Sequence, residues 1–156
     1  MSDFNYRRLD KSDAAVLLVD HQSGLCNIVG DFSPDDFKNN VLAMADAAKY
    51  FGLPTILTTS FESGPNGPLV PELKEIFPDA PYIARPGQIN AWDNEDFVKA
   101  VKNTGKQQLI IAGVVTEVCV ALKKVMRCSS LPTHRVPSTR RLVMPPGHEW
   151  RLPVRN

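Results

Sequence analysis

Residues 110–120 read IIAGVVTEVCV. An apolar run of the kind buried inside a parallel sheet ends at Gly113, a turn follows, and a helical pattern begins around Cys119. A strand, turn and helix in that order deliver a thiol to the C-terminal edge of a sheet, beside a helix N-terminus. Free backbone N–H groups and the helix dipole favour a thiolate there, and open α/β sheets place their ligands along the same edge. The stretch therefore predicts an α/β fold and, as its first chemistry, a cysteine nucleophile.

Working outward, the same alternation of strand and helix recurs. Residues 14–20 (AAVLLVD) form a continuous apolar run closed by a carboxylate, which suits a strand buried on both faces of a parallel sheet. Ser33-Pro34-Asp35-Asp36 is a helix start, with Ser as N-cap, Pro in the first turn and acids behind it. Phe37, Val41, Met44, Ala45 and Ala48 fall on one face of that helix, and Gly52 then Pro54 end it. Residues 55–59 (TILTT) read as a second strand, 63–68 (SGPNGP) as a loop, 70–77 as a short helix and 82–85 (YIAR) as a short strand. Asn94 caps a helix running through Val101, residues 108–112 make the next strand, and another helix starts at Thr116 or Glu117. Such spacing implies right-handed βαβ crossovers.

Composition bounds the function. The 156 residues make one domain at most. A net charge of +1 favours no polyanion, so no nucleic-acid partner is expected. No run reaches the roughly 20 apolar residues of a membrane span, and the opening MSDFNYRRLDKSD lacks the apolar centre of a secretory signal. The three cysteines, Cys26, Cys119 and Cys128, are too scattered for a disulfide framework or a CxxC pair, which fits a reducing, cytoplasmic setting. With no GxGxxG after the first strand and no GxxxxGK[ST], nucleotide cofactors have no support.

Three residues can carry chemistry together. Asp20 ends the first strand, where a carboxylate is a general base, a metal ligand or simply a cap for the turn. Burial would raise its pKa toward that of a working base, and a carboxylate within reach of a thiol can activate it. Arg85 ends a short strand before Pro86-Gly87. It is either a surface ion-pair partner or a cation that holds acid and thiolate together; it does not shuttle protons. Cys119 taken alone also fits a small buried hydrophobe, as Cys26 does. His21 should point away from Asp20 across the backbone, and Gln22 should face the site. Phe61 and Trp92 fall on loops at the ligand edge, where they line a pocket or pack the core. His134 and His148 form no triad and no metal spacing with the rest.

Taken together, AAVLLVDHQ, KYFGLPTILTTSFESGPNGP, PYIARPGQINAWDN and IIAGVVTEVCVA resemble the isochorismatase-like cysteine hydrolase superfamily and, within it, the YcaC-type hydrolases. The resemblance covers roughly residues 6 to 121. It implies a three-layer α/β/α fold around a Rossmann-like parallel sheet of about six strands, and a homo-oligomer. It also implies a triad of Asp20 as base, Arg85 as cation (most of the superfamily has Lys there) and Cys119 as nucleophile. A cis peptide at Val114–Val115 would aim the backbone N–H groups of Val115 and Cys119 at an oxyanion. The implied reaction is hydrolysis of an amide or related C–N or C–O bond of a small molecule through a thioester. The family's zinc enzymes carry a DxH motif after the second strand; TTSFESGPN lacks it, so no metal and no cofactor are expected.

From about Leu122 the text departs from the family. Residues 122–156 carry eight Lys/Arg against Glu149 alone, with five of the 13 prolines, which reads as a basic arm rather than a packed element. Codons exist for residues 123–140 that, read one base earlier, encode EEGYEVFVVTDASGTFNE, resembling the family's next strand and loop. The expectation is thus an isochorismatase-like hydrolase domain over 1–121, the N-terminal two thirds of the family fold, and an out-of-frame tail over 122–156. The strand at 108–112 would be left as an uncovered edge, and the chain would fold weakly with little turnover. The alternative reading is a non-catalytic binding or assembly module whose basic tail meets acidic partners.

Overall fold

The structure, a computed structural model, describes residues 8–30, 32–114, 119, 128–129 and 139–143. Strand β1 (Ala14–Val19) is buried at every position, as its unbroken apolar text requires. It lies centrally, between β2 (Thr55–Ser60) and β4 (Gln108–Gly113), and β3 (Tyr82–Arg85) pairs with the outer side of β2. These four strands are parallel, with Val19 level with both Thr58 and Gly113, and Ser60 level with Arg85. That register brings the ends of all four strands to one rim.

Helices cover both faces. Helix α1 (Ser23–Cys26) is a single turn after β1. Helix α2 (Pro34–Tyr50) begins as its sequence predicts: the Ser33 hydroxyl accepts from the Asp36 N–H at 3.2 Å, and Pro34 stands in the first turn. Its Phe37, Val41, Ala45 and Ala48, together with Leu73 of α3 (Pro71–Ile76), pack on Val16 and Leu18. On the opposite face Phe97, Val98 and Val101 of α4 (Glu95–Asn103) pack with Trp92 and Cys119 on Ala15, Leu17 and Val19. Alternate residues of β1 therefore serve two cores, and the result is the three-layer α/β/α arrangement expected.

Beyond β4 the expectation needs correction. Strand β6 (Thr139–Val143) pairs antiparallel with β4, and β5 (Cys128–Ser129) pairs antiparallel with β6, giving the order β3-β2-β1-β4-β6-β5. The β4 edge is covered, and the sheet is parallel over four strands rather than throughout. A buried strand's N–H and C=O groups demand partners. An antiparallel strand supplies them without the helical crossover that a parallel one requires.

Candidate functional site

The rim is built by backbone turns that follow the strands. Asp20 has φ 58°, a left-handed conformation that Asp tolerates better than most residues. Its N–H donates to Thr58 O at 2.9 Å and its own C=O accepts from Gln22 N at 2.8 Å. The chain thus doubles back sharply, and the carboxylate enters the site fully enclosed, at 0% exposure. Phe61 takes φ 50° directly after β2, and a bulky residue held there marks strain of the kind found at functional sites.

Arg85 is not a surface residue: its side chain is wholly buried and ion-paired to Asp20 through Nη2. Its Nε donates to Thr58 Oγ1 at 3.1 Å, and Nη1 donates to the carbonyls of Gln88 and, at 3.1 Å, Ile89. Thr58 Oγ1 in turn donates to Ile83 O at 2.8 Å. These contacts engage four of the five guanidinium N–H groups. The cation is locked in place.

The Cys119 side chain lies near enough to the Asp20 carboxyl to favour its charged form, and Asp20 Oδ2 is buried with no hydrogen-bond partner. Cys119 is helical and buried in the apolar cluster of Trp92, Phe97 and Val19. Desolvation raises the Asp20 pKa above the usual carboxylate value, and Arg85 and Cys119 only partly offset it. Acid, cation and sulfur thus meet in one low-dielectric pocket, with a carboxyl group whose proton affinity has moved toward that of a thiol's partner. The expected Val115 N–H and the Val114–Val115 peptide lie outside the described residues, as do the start of the last helix, His134 and His148.

Other predicted residues fall differently. Gln22 is buried, but its amide is spent on backbone: Oε1 accepts from Ser60 N at 2.8 Å, and Nε2 donates to Ser60 O at 3.1 Å and to Gly67 O. It fastens the 61–68 loop to the sheet. Phe61 is half-exposed above that loop, with its ring tight against Gly64. Trp92 is a core residue, packed edge-on against Phe97 with ring centroids 5.3 Å apart. His21 turns to the other face and stacks on Phe37 of α2. Sequence reasoning missed Thr58. The available signal was a hydroxyl in a strand buried on both faces, which must find a partner. Among the described residues, no group of three or more His, Cys, Asp and Glu is arranged to hold a metal ion, and no helix is long and apolar enough to cross a membrane.

Comparison with known proteins places these residues in a family. The isochorismatase domain matches residues 14–127. The chain is 82% identical over 116 residues to the probable hydrolase YcaC of Escherichia coli K12, covering 74% of this chain and 56% of that protein. Among solved structures, YcaC from Pseudomonas aeruginosa with hexane-2,5-diol and covalent acrylamide superposes with a TM-score of 0.74 at 81% identity, over 76% of this chain and 59% of that one. The Escherichia coli YcaC structure, an octameric hydrolase of unknown specificity, gives a TM-score of 0.71 at 82% identity, over 73% and 56% of the two chains. The chain therefore spans little more than half the length of these relatives.

Proposed function

The chain belongs to the isochorismatase family, and on that premise we propose that it carries the catalytic residues of a cysteine hydrolase acting on an amide or related C–N or C–O bond of a small molecule. The observation that carries the reading is the enclosed Asp20 carboxyl, ion-paired to Arg85 through Oδ1, with Oδ2 left without a partner and the Cys119 side chain acting on it from nearby.

In this mechanism Asp20 takes the thiol proton as Cys119 Sγ attacks the substrate carbonyl carbon. The carbonyl π pair moves to oxygen, and the N–H groups of Val115 and Cys119 receive the oxyanion. As the tetrahedral adduct collapses, the C–N bond breaks and Asp20 returns its proton to the leaving amine. A water then gives a proton to Asp20 while attacking the thioester, and collapse releases the acid and restores the thiol. Arg85 keeps Asp20 oriented and offsets the negative charge shared by acid and sulfur. Gln22, Phe61 and Trp92 shape the substrate cavity, Gln22 through the loop it fastens and Trp92 through its packing beside the sulfur. Acrylamide is an electrophile that thiolates attack, so its covalent presence in the Pseudomonas aeruginosa relative supports a reactive sulfur here. The octameric state of the Escherichia coli relative supports self-association of this chain, and a cytoplasmic setting agrees with free thiols at Cys26 and Cys119.

Timed iodoacetamide labelling read by mass spectrometry tests the reading. Burial pushes the Cys26 thiol up to about 11, so Cys26 should react slowly and Cys119 much faster. Equal, slow labelling of both sulfurs in folded protein would overturn the proposal.

A further inference from the structure

The charges at the rim already cancel. Arg85 Nη2 pairs with Asp20 Oδ1, and both side chains are fully buried. The guanidinium also donates to Thr58 Oγ1 and to the carbonyls of Gln88 and Ile89, which leaves it little to offer a substrate anion. The sulfur beside this pair sits in the apolar cluster of Val19, Trp92 and Phe97. The sequence adds no second cation. Residues 60–68, at and after the end of β2, and residues 85–93, at and after the end of β3, hold Arg85 as their one Lys or Arg; residues 113–122, around Cys119, hold none. Glu62, which follows Phe61, is an acid whose Oε1 accepts from the Tyr82 hydroxyl.

The same rim exposes apolar surface. Among the described residues six large hydrophobics stand exposed, and two of them are Phe61, at 48%, and Ile89, at 63%. Both are tied to Arg85 through their backbones: Phe61 N–H donates to Arg85 O at 3.0 Å, and Ile89 O accepts from Arg85 Nη1 at 3.1 Å. A charge taken out of water without a partner costs far more than a neutral polar group does. A substrate carboxylate arriving here would lose its water, meet the Asp20 carboxylate and find the guanidinium occupied. A neutral amide meets none of these penalties.

We propose that this site selects neutral amides with a small apolar body over anionic ones, and that Phe61 and Ile89 set the preference. The proposal rests on the cysteine-hydrolase reading above and narrows it. The acyl group delivered to Cys119 Sγ carries no carboxylate and no phosphate.

Iodoacetamide and iodoacetate are the probes. They match in shape and leaving group and differ by one negative charge; with each, a bond forms from Cys119 Sγ to carbon as iodide leaves. Rates at Cys119 in the full chain are read by mass spectrometry at pH 7, each divided by the rate for 2-mercaptoethanol under the same conditions. Relative to that free thiol, Cys119 should prefer iodoacetamide by about 10-fold or more, because the anion is desolvated without a partner. Ile89→Lys and Phe61→Lys bring a cation to the rim. Each should raise the iodoacetate-to-iodoacetamide ratio by about 2- to 5-fold, the worth of an exposed ion pair, while Ile89→Gln and Phe61→Gln should not. A Cys119 ratio equal to that of the free thiol, or Lys variants that match the Gln variants, would overturn the proposal and leave the hydrolase reading standing, provided that the sulfur is fast. Slow labelling of Cys119 by both reagents in folded protein would instead remove that reading, and this inference with it. Should the variants fail to fold, the wild-type ratio decides the matter alone.

Discussion

Acid should unfold this protein through His21 before its carboxylates are exhausted. The imidazole is fully buried and its pKa falls from 6.5 to about 4. Between those values the unfolded chain binds a proton that the folded chain refuses, so stability is lost as pH falls through that window. At about 1.4 kcal/mol per pH unit the full difference is about 3 kcal/mol, and at pH 4.5 about 2.5 kcal/mol of it should be gone. That is a large part of the roughly 5–15 kcal/mol that holds a domain together. Urea melts of the wild type and of His21→Phe, at pH 7 and pH 4.5, isolate the effect because every other group titrates in both. At pH 7 the variant should equal or exceed the wild type, since it removes a buried, unpaired polar group worth about 1–3 kcal/mol. At pH 4.5 its advantage should grow by about 2–3 kcal/mol. A difference between the two proteins that stays flat with pH would refute the reasoning, for it would mean that the folded protein accommodates the imidazolium.

Three further outcomes follow from the rim. The labelling rate of Cys119 should fall on acidification with a midpoint above 3.8, the ordinary value for Asp20, because the desolvated carboxyl is protonated early and stops accepting the thiol proton; Asp20→Asn should remove that inflection, and an unchanged profile would count against Asp20 as base. Thr58→Val keeps the shape but leaves Arg85 Nε unpaired, so it should cost about 1–3 kcal/mol in thermal or urea melts and slow Cys119 labelling, with Thr58→Ser restoring both. Gly24→Ala would set a Cβ 2.1 Å from Pro65 O, a backbone atom; the loop must shift, and a loss of about 1–3 kcal/mol together with slower Cys119 labelling is expected.

The four parallel strands were legible because each is a short apolar or β-branched run closed by turn residues, and two helix starts were legible because Ser33 and Asn94 are caps whose bonds are local. Long-range pairing was not. Nothing in the text TRRLV at 139–143 announces that it will lie antiparallel on β4, since edge pairing is set by whichever backbone needs a partner. The site was half visible. Asp20 and Arg85 stand at strand ends where chemistry is expected, and register brings them together; Cys119 lies in the helical stretch beyond β4. The guanidinium's other acceptors were not visible, because two of them are the main-chain carbonyls of Gln88 and Ile89, which carry no residue signature. Gln22 was read as facing the site, but an amide with two donors and an acceptor is drawn to the nearest unpaired backbone, here that of Ser60 and Gly67.

The left-handed kink at Asp20 puts two consecutive side chains into separate layers of the molecule. One peptide unit is then shared between the reacting rim and the helical side behind it. Substitutions along α2 that repack His21 therefore press on backbone that also carries Asp20, from the face of the sheet away from the sulfur.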